Sequence, residues 1–142
     1  MGTDAEIARI EAVLDEFHAA ASHADETRYL ALLSPDAVLL GTDGGERWAG
    51  EAYRSFIHSY FSRGIGWTYV PSERSVEIAA DGRTAWFDER LENESYGLCR
   101  GSGVLQVRDN EWKIEHYNLT IPIPNEMAEE VVARIRKRNS GY

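Results

Sequence analysis

The sequence predicts an α+β fold, with helices gathered on one side of an antiparallel sheet and a further helix at the C-terminus. Three observations predict it. Apolar residues recur at helical spacing as far as Phe61, the period falls to two from Trp67 onward, and Asp81-Gly82 and Asp109-Asn110 supply tight hairpin turns between long alternating segments. Helices segregated from an antiparallel sheet define this class.

The first helix opens with Thr3 and Glu6, read as a capping box. It then carries Ile7, Ile10, Leu14, Phe17 and Ala21 on one apolar face. Ser22 to Asp25 interrupts that pattern. A short second helix turns Tyr29, Leu30 and Leu33 inward and stops at Ser34-Pro35-Asp36, because proline disfavours helical geometry in the residue before it. Ala37 to Leu40 reads as a short strand and Gly41 to Gly50 as a loop. Tyr53, Phe56, Ile57, Tyr60 and Phe61 mark a third helix, ended by Arg63-Gly64. Strands follow at Tyr69–Ala79, Arg83–Glu94, Cys99–Arg108 and Glu111–Ile121. Pro122 and Pro124 end the sheet. A last helix over about 125–138 uses Met127, Val131, Val132 and Ile135 as its apolar side.

Composition narrows the function. A chain of 142 residues with 43% hydrophobic and 27% charged residues is predicted to form one domain over 1–142. The net charge of −9 disfavours nucleic acid and anionic membranes, which require clustered cations. The basic run Arg134, Arg136, Lys137 and Arg138 reads first as cations offsetting the dipole of a helix end. One cysteine, Cys99, rules out an intrachain disulfide. With no signal peptide or apolar run of membrane length, the expected location is the cytoplasm. No zinc-ligand spacing, phosphate loop or Ser/His/Asp order is found, and neither metal nor cofactor is expected.

Several stretches carry a resemblance: Leu33-Ser34-Pro35-Asp36-Ala37-Val38, Gly41-Thr42-Asp43, Glu46-Arg47-Trp48-Ala49-Gly50, Ala85-Trp86-Phe87-Asp88-Glu89, Cys99-Arg100-Gly101-Ser102-Gly103, and Trp112-Lys113-Ile114 through Asn118-Leu119. In order and spacing they resemble the SnoaL-like branch of the nuclear transport factor 2-like superfamily, over nearly the whole chain to Asn125. The resemblance implies a curved sheet wrapped around helices as a cone, with a pocket at the open end and frequent dimerisation through the outer sheet face. It also implies a range of roles, from polyketide cyclase, steroid isomerase and dehydratase to binding alone, among which fold does not choose. The steroid isomerases of the superfamily place a tyrosine on the first helix and an aspartate just after the first strand. Gapless spacing puts those positions at Phe17 and Gly41, where neither group is present, which argues against that chemistry.

Strand parity then locates a pocket. With Lys113 and Glu115 outward, Trp112, Ile114, His116 and Asn118 face inward, opposite Val107, Leu105, Gly103 and Gly101. Ala85, Phe87, Glu89 and Leu91 continue that face, and Glu89 meets Arg74 across the Asp81-Gly82 hairpin. The inner surface divides into an apolar core and a mixed zone of Arg74, Glu89, Gly101, Gly103, His116 and Asn118. One β-bulge would reverse this parity.

Glu89 is the candidate acid or base, and His116 its candidate proton shuttle. A Glu89–Arg74 ion pair and a histidine held by a backbone carbonyl are the structural alternatives. Asn118 is placed to orient a ligand oxygen or satisfy a backbone group. Asp43 points into the mouth or closes a local turn. Trp48, Trp67 and Tyr53 form an aromatic wall or simple core. The expected ligand is a small apolar or amphipathic organic molecule, bound by a binding or association module. The alternative is a cofactor-free cyclase, isomerase or dehydratase. The opposite sheet parity, with Trp86, Asp88, Arg100 and Tyr117, is the expected homodimer face, including an Asp88–Arg100 ion pair, unless the C-terminal helix covers it.

Overall fold

The computed structural model describes residues 2–140. Helix α1 spans Thr3–Ser22 and α2 spans Glu26–Ala31. Strand β1 is Leu33–Leu40, β2 is Arg47–Ala49, and α3 is Gly50–Phe61. Four long strands follow: β3 (Val70–Ile78), β4 (Thr84–Asn93), β5 (Gly97–Arg108) and β6 (Glu111–Thr120). A 3₁₀ turn at Asn125–Met127 leads into α4, Ala128–Ser140. The strands form one sheet in the order β2-β1-β6-β5-β4-β3, in which β1 runs parallel to β6 and the other pairings are antiparallel. The helices-then-sheet architecture with a C-terminal helix agrees with the sequence reading. No helix among the described residues is long and apolar enough to cross a membrane.

Three local expectations change. The Thr3–Glu6 capping box is absent: Gly2 is the N-cap with no side-chain bond. Thr3 already lies within the helix, and the Glu6 carboxylate accepts instead from Arg9 and from Trp112 Nε1 at 3.0 Å. The loop before α3 contains β2, too short to show periodicity, paired with the end of β1. Strand β1 starts at Leu33 rather than Ala37 and includes Pro35. The β1–β6 ladder is interrupted between Leu33 and Val38, so the missing proline N–H is not required there.

Both hairpins form in the predicted register, but Asp81-Gly82 sits in a four-residue loop closed by Gly82 N donating to the Ala79 carbonyl, not in a two-residue turn. Gly82 takes a φ of +71° and Asp81 accepts from the Arg83 amide, while Asp109 and Asn110 both adopt positive φ. The Asp109-Asn110 turn matches the right-handed twist of the strands it joins. The inner face of the sheet packs on α1, burying Ile10, Leu14, Phe17 and Ala21 against Ala85, Phe87, Leu105 and Ile114.

Two bulges decide what that face carries. On β6, Val104 pairs with His116 but Leu105 pairs with Ile114, leaving Glu115 as an extra residue. Parity therefore reverses along β6: Trp112 and Ile114 point inward, and so do Tyr117 and Leu119. His116 and Asn118 point to the outer face, opposite Val104 and Ser102 rather than Gly103 and Gly101. On β3, Glu73 and Arg74 together face the single residue Glu89, with Glu73 at a φ of +46°. This bulge turns Arg74 into the protein.

Candidate functional site

Glu89 lies in the middle of β4, its side chain completely buried between the sheet and α1. Three donors surround its carboxylate. Arg74 Nε donates to Oε1 at 2.8 Å, the Tyr117 hydroxyl donates to Oε2 at 2.7 Å, and His18 Nε2 lies 2.7 Å from the same Oε2. Gly101 sits beside Glu89 in the neighbouring strand. A Cβ there would fall 2.1 Å from the Tyr117 hydroxyl and 3.2 Å from Glu89 Oε2, so glycine is what allows the cluster to close.

An ionised carboxylate only accepts hydrogen bonds. The Glu89–His18 contact therefore places a proton on His18 Nε2; in the tautomer protonated there alone, Nδ1 carries the lone pair. Among the described residues nothing bonds to Nδ1, and His18 lines a cavity. The arrangement follows the logic by which a buried acid fixes the tautomer and orientation of a histidine base.

Burial alone would raise the Glu89 pKa. The hydrogen bond from His18, the Tyr117 hydroxyl and the Arg74 guanidinium outweigh it and hold the group below the ordinary 4.5. Tyr117 moves the other way, well above 10, through burial and the adjacent carboxylate, and so remains a donor. Arg74 is braced by Asp15 Oδ1 at 2.9 Å and the Glu11 carbonyl at 3.3 Å, both on α1. Its Nη2 is the one buried side-chain polar atom without a partner among the described residues.

A pH dependence follows from the depressed Glu89 value. The unfolded chain binds this proton more readily, so Glu89 contributes its full stabilisation above the ordinary pKa. The contribution is lost as pH falls through the lower folded value. We expect the gap in urea midpoint between wild type and Glu89→Gln to narrow from about pH 7 to about pH 3. A gap of constant width would show that the carboxylate is not ionised in the fold.

In front of the cluster lies a cavity of about 380 Å³. His18 and Tyr117 form part of its wall, with Phe17, Trp48, Tyr53, Phe56 and Trp67 as aromatic neighbours. Trp48 stacks on Phe56 with ring centres 4.4 Å apart, and Trp67 lies 6.2 Å from Phe56. The hydroxyls of Tyr29 and Tyr53, both lining residues, bond to each other at 2.6 Å. Glu46 stands at the rim, where its carboxylate accepts from the Asp43 amide.

The structure brings Arg74, Glu89 and Gly101 together, and it puts Trp48, Trp67 and Tyr53 around the cavity. Glu89 and Arg74 do not line the cavity but stand behind His18 and Tyr117. Gly103 is likewise behind the wall: a Cβ there would lie 1.9 Å from the His116 carbonyl oxygen. His116 and Asn118 are corrections, turned outward by the Glu115 bulge. Asp43 is exposed and closes its own turn, accepting from the Gly45 amide. Tyr117, expected on the outer face, is buried in the site. Asp88 faces Ser102 rather than Arg100, which lies opposite Arg90. No trio of His, Cys, Asp or Glu among the described residues could hold a metal ion.

The sequence signal for His18 is its place in α1. It lies four residues after Leu14 and three before Ala21, inside the apolar stripe, and a histidine in such a stripe needs a buried partner.

Residues 10–124 match the SnoaL-like domain family, and the chain belongs to it. Comparison with curated proteins finds no match. Among solved structures, the chain is similar to a provisionally assigned dehydratase of the nuclear transport factor 2-like family from Streptomyces avermitilis, with a TM-score of 0.74 and 12% identity over 87% of this chain and 100% of that one. It is also similar to a nuclear transport factor 2-like protein of unknown function from Pseudomonas putida, with a TM-score of 0.72 and 18% identity over 89% and 93%. A third is a provisionally assigned scytalone dehydratase from Novosphingobium aromaticivorans, with a TM-score of 0.68 and 13% identity over 84% and 85%. At these identities the likeness establishes the fold alone.

Proposed function

We propose that this protein binds a flat, largely apolar organic molecule in the aromatic cavity and moves a proton on it, with His18 as the base. The observation that carries this reading is the placement of His18: Nε2 is committed to a buried carboxylate, and the residue lines a largely aromatic and aliphatic chamber. In an elimination, Nδ1 takes the proton from a carbon beside a carbonyl. The same proton then leaves with a departing hydroxyl as water, and the substrate gains a carbon–carbon double bond. Glu89 steadies the imidazolium formed in between, and the aromatic walls keep out bulk water. Proton transfer of this kind asks for no cofactor. The provisional dehydratase assignments of two structural neighbours are consistent with it.

A binding-only role has one observation in its favour. The Arg74–Glu89–Asp15 bracket ties β3 to α1 and has a structural purpose without any chemistry. The two readings separate in one experiment, using a panel of bicyclic phenols and β-hydroxy ketones. Thermal shift should show wild type stabilised by some members and Trp48→Ala losing most of that shift, since saturation at ~100 Kd is worth about 2.7 kcal/mol. His18→Gln should retain binding within about tenfold while losing turnover of a β-hydroxy ketone by roughly 10²–10⁴. Binding that survives Trp48→Ala would move the site elsewhere. Binding without turnover of any panel member by wild type would favour the module.

A further inference from the structure

Glu46 stands in the wall of the cavity without a counterion. Its backbone amide donates to the Asp43 carbonyl at 2.9 Å, and its carbonyl accepts from the Gly41 amide at 3.0 Å. Its Oε1 accepts from the Asp43 amide at 2.9 Å. Gly41 makes room for the head group, because a Cβ there would fall 2.8 Å from Glu46 Cδ. The side chain is half-buried, and among the described residues no cation pairs with it. A carboxylate drawn partly out of water needs a cation or several donors to meet its charge. Here one backbone amide meets it.

The surroundings narrow what else could. Among the described residues no lysine or arginine lines the cavity, and Glu46 is its one carboxylate. Trp48, two positions along, shares that face of the chain and also lines the cavity. Arg47 between them is exposed and lies outside the lining. Tyr53 stands beside Trp48 and Phe56, with ring centres 6.5 and 6.0 Å away. Burial, with Cys99, Tyr96 and Glu46 adding to it, raises the phenol of the lining residue Tyr69 to about 12, which keeps it neutral. Aromatic faces attract a cation, as a carboxylate does. The net charge of −9 acts in the same direction, drawing cations towards the chain and repelling anions.

We propose that Glu46 sets the charge of the ligand: the molecule that enters carries a basic amine, whose ammonium meets the Glu46 carboxylate beside Trp48 while its apolar body fills the aromatic chamber. This rests on the cavity reading above and not on any reaction at His18. A carboxylate ligand is refused by the same arrangement, since an anion entering the chamber would meet Glu46 and no cation.

Calorimetric titration with naphthylmethylamine, naphthylmethanol and naphthoate, all substituted at the same ring position, tests the assignment. At about pH 7 the three share a bicyclic body and are cationic, neutral and anionic. Wild type should bind the amine about tenfold more tightly than the alcohol, and the carboxylate most weakly. Glu46→Gln keeps an acceptor for the Asp43 amide and removes the charge. It should bring the amine within about twofold of the alcohol and leave the affinity for the alcohol unchanged. Trp48→Ala should weaken the amine and the alcohol alike. An amine preference that persists in Glu46→Gln would overturn the assignment and leave the cavity standing. So would a wild type that binds the three equally or prefers naphthoate. Affinities indifferent to Trp48→Ala, or no binding of any of the three to wild type, would overturn the cavity reading and this assignment with it.

Discussion

Glu89→Ala is expected to lower stability by about 3–5 kcal/mol, the usual cost of removing one partner from a buried ion pair. The substitution leaves the Arg74 guanidinium, already carrying one orphaned nitrogen, with only Asp15 and a carbonyl. It also strips the Tyr117 hydroxyl and His18 Nε2 of their acceptor. For a chain of this length the melting temperature should fall by roughly 10–20 °C. Calorimetry of Glu89→Ala beside Glu89→Gln provides the measurement. The amide keeps volume and one acceptor, so it should cost less than alanine. Equal, small losses for both would mean that the cluster does not tie β3 and β4 to α1.

Gly103→Ala should be nearly as damaging, for a different reason. The new methyl would sit 1.9 Å from the His116 carbonyl oxygen and 3.1 Å from the Phe87 ring. A side chain can swing away from such a clash, but a backbone carbonyl in a paired strand cannot. We expect a loss of about 3 kcal/mol, at the upper end for overpacking, with a shift of the β5–β6 register detectable by amide exchange. Wild-type stability in Gly103→Ala would mean that β6 runs without its bulge.

Sequence reasoning succeeds here where the determining contacts are short-range. Both hairpins are marked by two adjacent residues each, and the inward parity of Ala85, Phe87, Glu89 and Leu91 runs unbroken along β4. The Arg74–Glu89 meeting also emerges, although β3 reaches it through a bulge that the simple hairpin register does not contain. The failure on β6 has one physical source. Trp112 and Ile114 are two positions apart, and so are Tyr117 and Leu119, but Ile114 and Tyr117 are three positions apart. The adjacent polar pair Glu115-His116 breaks the alternation, and that is the visible signature of an inserted residue. Reading His116 as inward keeps a strict period of two at the expense of exposing Tyr117. A large aromatic ring has more to gain from burial than an imidazole does. The site then follows only in three dimensions, because His18 and Tyr117 stand 99 positions apart and meet on a carboxylate between them.

The odd residue in β6 is also fastened. Ser34 at the start of β1 donates to Glu115 Oε1 at 3.0 Å, and Arg108 at the end of β5 grips both carboxylate oxygens at 2.6 and 3.0 Å. Slipping β6 by a single step would trade the phenol and leucine in the chamber for an imidazole and an amide, without altering one letter of the sequence. The chemical identity of the interior is therefore a matter of phase, and the clamp that holds the phase lies on the far side of the sheet from everything it governs.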